Sequence, residues 1–210
     1  MSILTDISIF LQQGETGRVK ELVQQALDEG ISPQKILNEG LMDGMDIIGE
    51  KFKNNEVFIP EVLISARAMN TGIELLKSHL VAAGVASKGV AIIGTVKGDL
   101  HDIGKNLVKI MMESKGLTVI DLGVDVSPER FYEAAQQNQA NIVCCSALLT
   151  TTMIEMKNVV NIFIVKEKRD SVKIMVGGAP LSKDFCEAIG ADCYEPDAAS
   201  AAQAASDLCS

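Results

Sequence analysis

Hydrophobic positions recur along this 210-residue chain with two different periods, and the change falls near residue 85. Up to residue 80 the apolar side chains keep helical spacing. Val19, Leu22, Val23 and Leu27 line one face of Thr16 to Asp28, and Gly30 closes that helix. Ser32 is a good N-cap with Pro33 at the first helical position, and Ile31 with Ile36 fill the two positions of a hydrophobic staple. Ile36, Leu41, Met45, Ile48 and Phe52 continue as one stripe until the polar Lys53, Asn54 and Asn55. A further helix is predicted to open at Pro60 and to carry Val62, Ala66, Met69, Ile73, Leu76 and Leu80. With a short helix at 3–13 these make four, enough to bury one another's stripes as a bundle. Gly40, Gly44 and Gly49 each lower helix propensity by roughly 1 kcal/mol, and close helix packing is the expected reason for them.

Residues 81–88, small and undecorated, read as a linker, so a helical domain over 1–85 and a second domain over 86–210 are expected. Gly89 to Val96 is a nearly continuous apolar run, the pattern of a strand covered on both faces. Similar runs follow at Leu117 to Leu122, Ala140 to Cys145 and Val172 to Val176, with helical patterns at 103–115, 129–138 and 151–166 between them. A short strand at Asp192 to Tyr194 precedes an Ala-rich helix at 197–208. Strands alternating with helices predict right-handed βαβ units. The fold class expected is therefore α/β: a four-helix bundle cap, then a flavodoxin-like (Rossmann-type) five-stranded parallel sheet. Binding residues belong in the loops beyond the C-terminal ends of the strands, near the point where strand order reverses.

Composition narrows the partners. A formal charge of -9 provides no cationic footprint for a nucleic-acid backbone. Cys144, Cys145, Cys186, Cys193 and Cys209 show no CxxC spacing and no disulfide framework, which fits a reducing cytoplasm. The first residues mix acids and amides into their apolar stretch, unlike a signal peptide, and no run is long enough to span a membrane.

The loop after the first strand reads Lys97-Gly98-Asp99-Leu100-His101-Asp102-Ile103-Gly104-Lys105-Asn106. A carboxylate two positions before a histidine can take one ring nitrogen, fixing the tautomer and leaving the other nitrogen for a metal. Ser146-Ala147-Leu148 follows the third strand, and Gly177-Gly178 follows the fourth, leaving room for something flat against backbone. The residues alone leave several readings open. They are a strand-end metal or cofactor site, general acid–base work by His101, and a purely structural histidine. A nucleotide loop lacks its glycine spacing and its Lys-Ser/Thr end, Ser146 lacks a nucleophile-elbow context, and a structural zinc lacks paired cysteines.

Asp99-x-His101-x-x-Gly104, Ser146-x-Leu148 and Gly177-Gly178, in that order, resemble the cobalamin-binding signature of corrinoid proteins and of methionine synthase. The similarity continues through Asp121-Leu122-Gly123-Val124 and Leu149-Thr150. In the helical half it covers Asp43-Gly44-Met45, Gly49-x-x-Phe52, Phe58-Ile59-Pro60-x-Val62 and Ser65-Ala66-Arg67-x-Met69. The resemblance implies a methyl carrier. Cobalamin would cycle between cob(I)alamin and methylcobalamin, base-off and His-on, with His101 as lower axial cobalt ligand. Asp99 would hold the other ring nitrogen and Ser146 would continue the relay. The nucleotide tail would thread past Gly104 into a slot lined near Ser146, Leu148, Thr150, Gly177 and Gly178, and Gly98, Asp102 and Ile103 would also bind the cofactor. The helical domain would cap the methyl-bearing face, with Phe58 to Leu63 as shield. The implied partners are a donor-specific methyltransferase, an acceptor methyltransferase using tetrahydrofolate or a thiol, and a reductive activation protein, with no nucleic acid and no membrane. The chain itself would be a non-catalytic subunit of that system. A cobalamin-based sensor is the alternative; a radical mutase would need a substrate barrel that this length does not hold.

Other residues take plainer readings. His79 belongs near a helix end, and Met42, Met45 and Met69 belong in core or cap packing. Thr150, Thr151 and Thr152 read equally as helix caps or cofactor contacts. Lys97 reads as solvated, and Lys105 and Asn106 as ordinary first-turn residues.

Overall fold

The computed structural model describes residues 2–84 and 87–209, and the chain divides into two compact units, Met1–Ala86 and Ser87–Ser210. The first is helical: α1 (Ile3–Gln12), α2 (Thr16–Asp28), α3 (Pro33–Lys35), a π-helix (Ile36–Met42), α4 (Asp43–Lys53) and α5 (Ile59–Ala82). Ser2 and Ser32 cap α1 and α3 by accepting from the N–H groups of Thr5 and Lys35. The apolar stripes meet in a core of Ile7, Leu11, Val19, Val23, Ile36, Leu41, Met45, Ile48, Val62, Met69 and Leu76. Where one continuous α-helix was expected from residue 33 to 53, the chain widens into π geometry. The five-residue step from Ile36 to Leu41 fits the i→i+5 bonding of that form, and both side chains are buried. The glycines there sit at a close approach: a Cβ on Gly40 would stand 3.1 Å from Ile7 Cγ2, and one on Gly44 3.1 Å from Ser8 Cα. At the chain's expected linker, α5 takes Val81 and Ala82, while Val85 and Ala86 lie outside the described residues.

The second unit alternates strand and helix. It runs β1 (Val90–Thr95), α6 (Ile103–Ser114), β2 (Thr118–Asp121), α7 (Pro128–Gln137), β3 (Ile142–Ser146), α8 (Met153–Val165), β4 (Lys173–Gly177), α9 (Lys183–Ile189), β5 (Cys193–Tyr194) and α10 (Ala198–Leu208). All pairings are parallel and the order is β2-β1-β3-β4-β5, so strand order reverses between β1 and β3. Ile92, Val143, Cys145, Ile174 and Val176 form one core with Phe131 of α7 and Met156, Val160 and Phe163 of α8. The alternate residues Ala91, Ile93, Cys144 and Met175 are buried toward the opposite face, where α6 packs on β1 and β2 and α10 packs on α6. Helix α9 was not expected from the pattern. It is seven residues long, capped by Ser182 and ended by Gly190 in the left-handed conformation, too short for a periodic stripe.

All five cysteines are free, and burial pushes the Cys144 thiol up to about 12, as for core thiols. Among the described residues no helix is long and apolar enough to cross a membrane.

Candidate functional site

The C-terminal end of β1 leads into a loop whose centre is a buried acid. Asp99 has no exposed surface, and each of its oxygens is claimed by donors. Oδ1 accepts from the His101 N–H at 3.1 Å and faces His101 Nδ1 at 2.8 Å. Oδ2 accepts from the N–H groups of Leu148 and Leu149 at 2.8 and 3.2 Å and from the Thr152 hydroxyl at 2.8 Å. Burial alone would raise this carboxyl; the Leu148 N–H, the His101 ring and N–H, and the Thr152 hydroxyl outweigh it and hold the group well below the usual carboxylate range. Asp99 is therefore an anion at neutral pH.

An anionic acceptor at Nδ1 requires the proton on that nitrogen, which in the neutral ring leaves the lone pair on Nε2. The His101 side chain is 52% exposed although its carboxylate partner is fully buried. Its backbone carbonyl accepts from the Thr95 hydroxyl at 2.8 Å. The ring is thus fixed from behind and open in front.

Exposed aliphatic side chains flank His101 in its own loop and follow β3. Leu100 and Ile103 are 71% and 70% exposed, and Leu148 and Leu149 are exposed beside them. A cluster of exposed aliphatic side chains about one polar nitrogen suits a large apolar ligand with a single coordination point. Thr95, Ser146 and Gly177 stand side by side across β1, β3 and β4. A Cβ on Gly177 or on Gly104 would meet nothing within 4 Å, so both border open space. Gly178 is different: φ is +143°, and a Cβ there would collide with the Ala147 carbonyl oxygen.

The strand-end residues expected from the sequence thus fall at one end of the sheet. Gly98, with φ +79°, donates its N–H to Asp125 Oδ1 at 2.7 Å. Asp102 precedes α6 and accepts from Asn106 Nδ2 at 3.1 Å, and Ile103 and Gly104 open that helix. Leu148 and Thr150 lie in the exposed loop after β3. The relay expected through Ser146 has another occupant: the hydroxyl on Asp99 is that of Thr152. Threonine at that position reads equally as a helix cap or a cofactor contact, and its side chain does not cap α8.

Lys105 and Asp121 were also missed as a pair. Lys105 is buried, and its ammonium lies 2.7 Å from both oxygens of Asp121 and 2.7 Å from Asn106 Oδ1. Charge at a first helical turn gave no sign of burial, and its partner is on another strand. His79 lies exposed in the last turn of α5, and no role attaches to it.

Among the described residues no three His, Cys, Asp or Glu side chains converge on a metal position. A metal reached by His101 Nε2 therefore has to bring its remaining ligands with it.

Comparison with known proteins points the same way. Residues 89–205 match the family model of a B12 binding domain, and residues 3–77 match a second family model of the same description. A corrinoid protein of Desulfitobacterium hafniense is 39% identical over 99% of this chain and 98% of its own length. A dimethylamine corrinoid protein of Methanosarcina acetivorans is 40% identical over 91% of this chain and 89% of its own. Among solved structures, the methanol:cobalamin methyltransferase complex of Methanosarcina barkeri contains a similar chain with a TM-score of 0.86 and 30% identity. That match covers 99% of this chain and 79% of the other. A cobalamin-binding protein of D. hafniense matches with a TM-score of 0.83 and 26% identity over 98% of both chains.

Proposed function

Because this chain belongs to the cobalamin-binding corrinoid proteins, we propose that it carries methyl groups between separate methyltransferases, with His101 as the lower axial ligand of its cobalt. The observation that carries the ligand assignment is the half-exposed imidazole whose Nδ1 is held at 2.8 Å by the buried Asp99. The site fits the group. A corrinoid brings its own equatorial nitrogens, which answers the lack of a protein ligand cluster, and the aliphatic rim of Leu100, Ile103, Leu148 and Leu149 suits a flat macrocycle.

When bound, cobalamin supplies a cobalt that takes up and gives away a methyl group. His101 would offer Nε2 to that cobalt. Asp99 keeps the Nδ1 proton in place and strengthens Nε2 as a donor, as carboxylates do behind metal-bound imidazoles. Gly104 and Gly177 would leave room for the displaced nucleotide tail, lined near Ser146, Leu148, Thr150 and Gly178, with Gly98, Asp102 and Ile103 as further cofactor-binding residues. The helical unit carries an apolar surface of its own in the exposed Phe58, Ile59 and Leu63. The partners are a donor-specific methyltransferase, an acceptor methyltransferase using tetrahydrofolate or a thiol, and a reductive activation protein. Relatives named for methylamines and for a methanol methyltransferase complex support this division of labour.

The test is to reduce the cobalamin-loaded protein and incubate it with methanol, methylamines and aryl methyl ethers, with and without a methyltransferase specific for each donor. Cobalt methylation, read by absorption, is expected with the partner only. Turnover of any donor by this chain alone would overturn the carrier reading. Independently, His101→Ala is expected to lose the nitrogen splitting in the electron paramagnetic resonance (EPR) spectrum of the Co(II) form. Retained splitting would remove the ligand assignment.

A further inference from the structure

We propose that Thr152 is a positioning residue that acts on His101 through Asp99, drawing carboxylate charge away from the imidazole and so keeping its hold on the cobalt weak enough to release. This rests on the ligand assignment made above for His101. The geometry is direct: Thr152 Oγ1 lies 2.8 Å from Asp99 Oδ2, and both residues are buried. The hydroxyl has one proton and two acceptors in reach, Asp99 Oδ2 and the Leu149 carbonyl at 2.9 Å. The charged oxygen is the stronger acceptor, and a hydroxyl turned the other way would leave two oxygens facing each other in a buried site.

A second observation is the cap that Thr152 gives up. Ser2, Ser32, Ser127, Ser182 and Asp197 each stand at a helix N-cap and accept from their own helix. Thr152 stands at the N-cap of α8 and does not, although such a bond is typically worth ~1 kcal/mol. Asp102 at the start of α6 is the other uncapping case of this kind among the described residues, and it adjoins His101. Ser146 is not among the partners of Asp99; it lies in the row with Thr95 and Gly177, where Gly177 borders open space.

The direction of the effect follows from what remains when the hydroxyl is lost. The Leu148 and Leu149 N–H groups still hold Asp99 Oδ2, so the carboxylate stays in place. What disappears is one bond that withdraws charge. More negative charge then rests on the oxygen facing His101 Nδ1, and Nε2 becomes the stronger ligand. Thr152 therefore opposes what Asp99 alone would do.

The test uses the full chain loaded with cobalamin. The Co(II)/Co(I) midpoint potential is measured by redox titration, with the nitrogen splitting of the Co(II) EPR spectrum as second readout. Thr152→Val and Thr152→Ala are expected to retain the splitting and to move the midpoint about 30 mV more negative, the one-electron equivalent of a roughly threefold tighter His-on state. Thr152→Ser should restore the wild-type value. Either hydroxyl-free variant decides the matter if the other does not fold. A wild-type or more positive midpoint in a folded hydroxyl-free variant would overturn the assignment. Splitting that persists in His101→Ala would instead strike the ligand assignment, so the two failures are told apart.

Discussion

At the end of β2, Asp121 faces the ammonium of Lys105 at 2.7 Å from both oxygens, with Lys109 at 3.8 Å. In the loop after the neighbouring β1, Asp99 meets no ammonium or guanidinium among the described residues. Backbone N–H groups, a hydroxyl and an imidazole hold it instead. A carboxylate neutralised by lysine spends its charge on the fold, here tying the start of α6 to β2. One kept anionic by neutral donors retains a charge that acts on the single ionisable ring in contact with it. Two acids a strand apart, one buried and one partly exposed, thus differ in what holds them: a lysine in one case, neutral donors and an imidazole in the other.

Asp99→Asn should break this contrast hardest. One oxygen becomes an NH2 group facing either the Leu148, Leu149 and Thr152 donors or those of His101. With several buried donors left unmatched, the cost should be about 4 kcal/mol in urea unfolding of the cobalamin-free protein, and the Co(II) nitrogen splitting should vanish. A change below about 1 kcal/mol would mean that the charge of Asp99 is dispensable. Lys105→Met comes next, at about 3 kcal/mol, the low end for a broken buried pair because Asp121 is partly exposed. Adding Asp121→Leu should recover part of that loss; a purely additive double variant would speak against direct coupling.

Acid sharpens the same pair. Burial raises the Asp121 carboxyl, but the Lys105 hydrogen bond, the Gly123 N–H and the charges of Lys105 and Lys109 hold it below its ordinary value. Such a group adds stability that is present above the unfolded value near pH ~3.9 and lost as pH falls through the folded one. The stability gap between wild type and Lys105→Met should therefore narrow below about pH 4; a constant gap would contradict it. The smallest effect belongs to the open space beside Ser146. Gly177→Ala should change unfolding free energy by no more than about 0.5 kcal/mol yet weaken cobalamin retention on gel filtration. Unchanged retention would show that the ligand does not use that space.

The positions that proved legible in the sequence are those whose reason is local. The alternation of apolar runs placed the five strands, and Asp99 and His101, two residues apart, carried their own contact. The step of five from Ile36 to Leu41 was visible too, although it was read as part of an α-helical stripe because π geometry is rare. Thr152 was hidden because it lies 53 positions from Asp99, and threonine before a helix already has a sufficient explanation as a cap. Lys105 was hidden because nothing in a first-turn lysine announces a partner 16 positions later on β2. Local spacing shows which side chains share a face; which donor satisfies a buried acid is settled only when separate loops meet.

His101 is pinned at three points: its N–H on Asp99, its carbonyl under the Thr95 hydroxyl, and Nδ1 on Asp99 again. In mechanical terms the ring is mounted on an anvil. It can rock about the Nδ1 contact but cannot travel along the direction in which Nε2 points without breaking a bond to a buried charge. Whatever is bound at Nε2 would therefore meet a nitrogen whose position is set by the fold in advance.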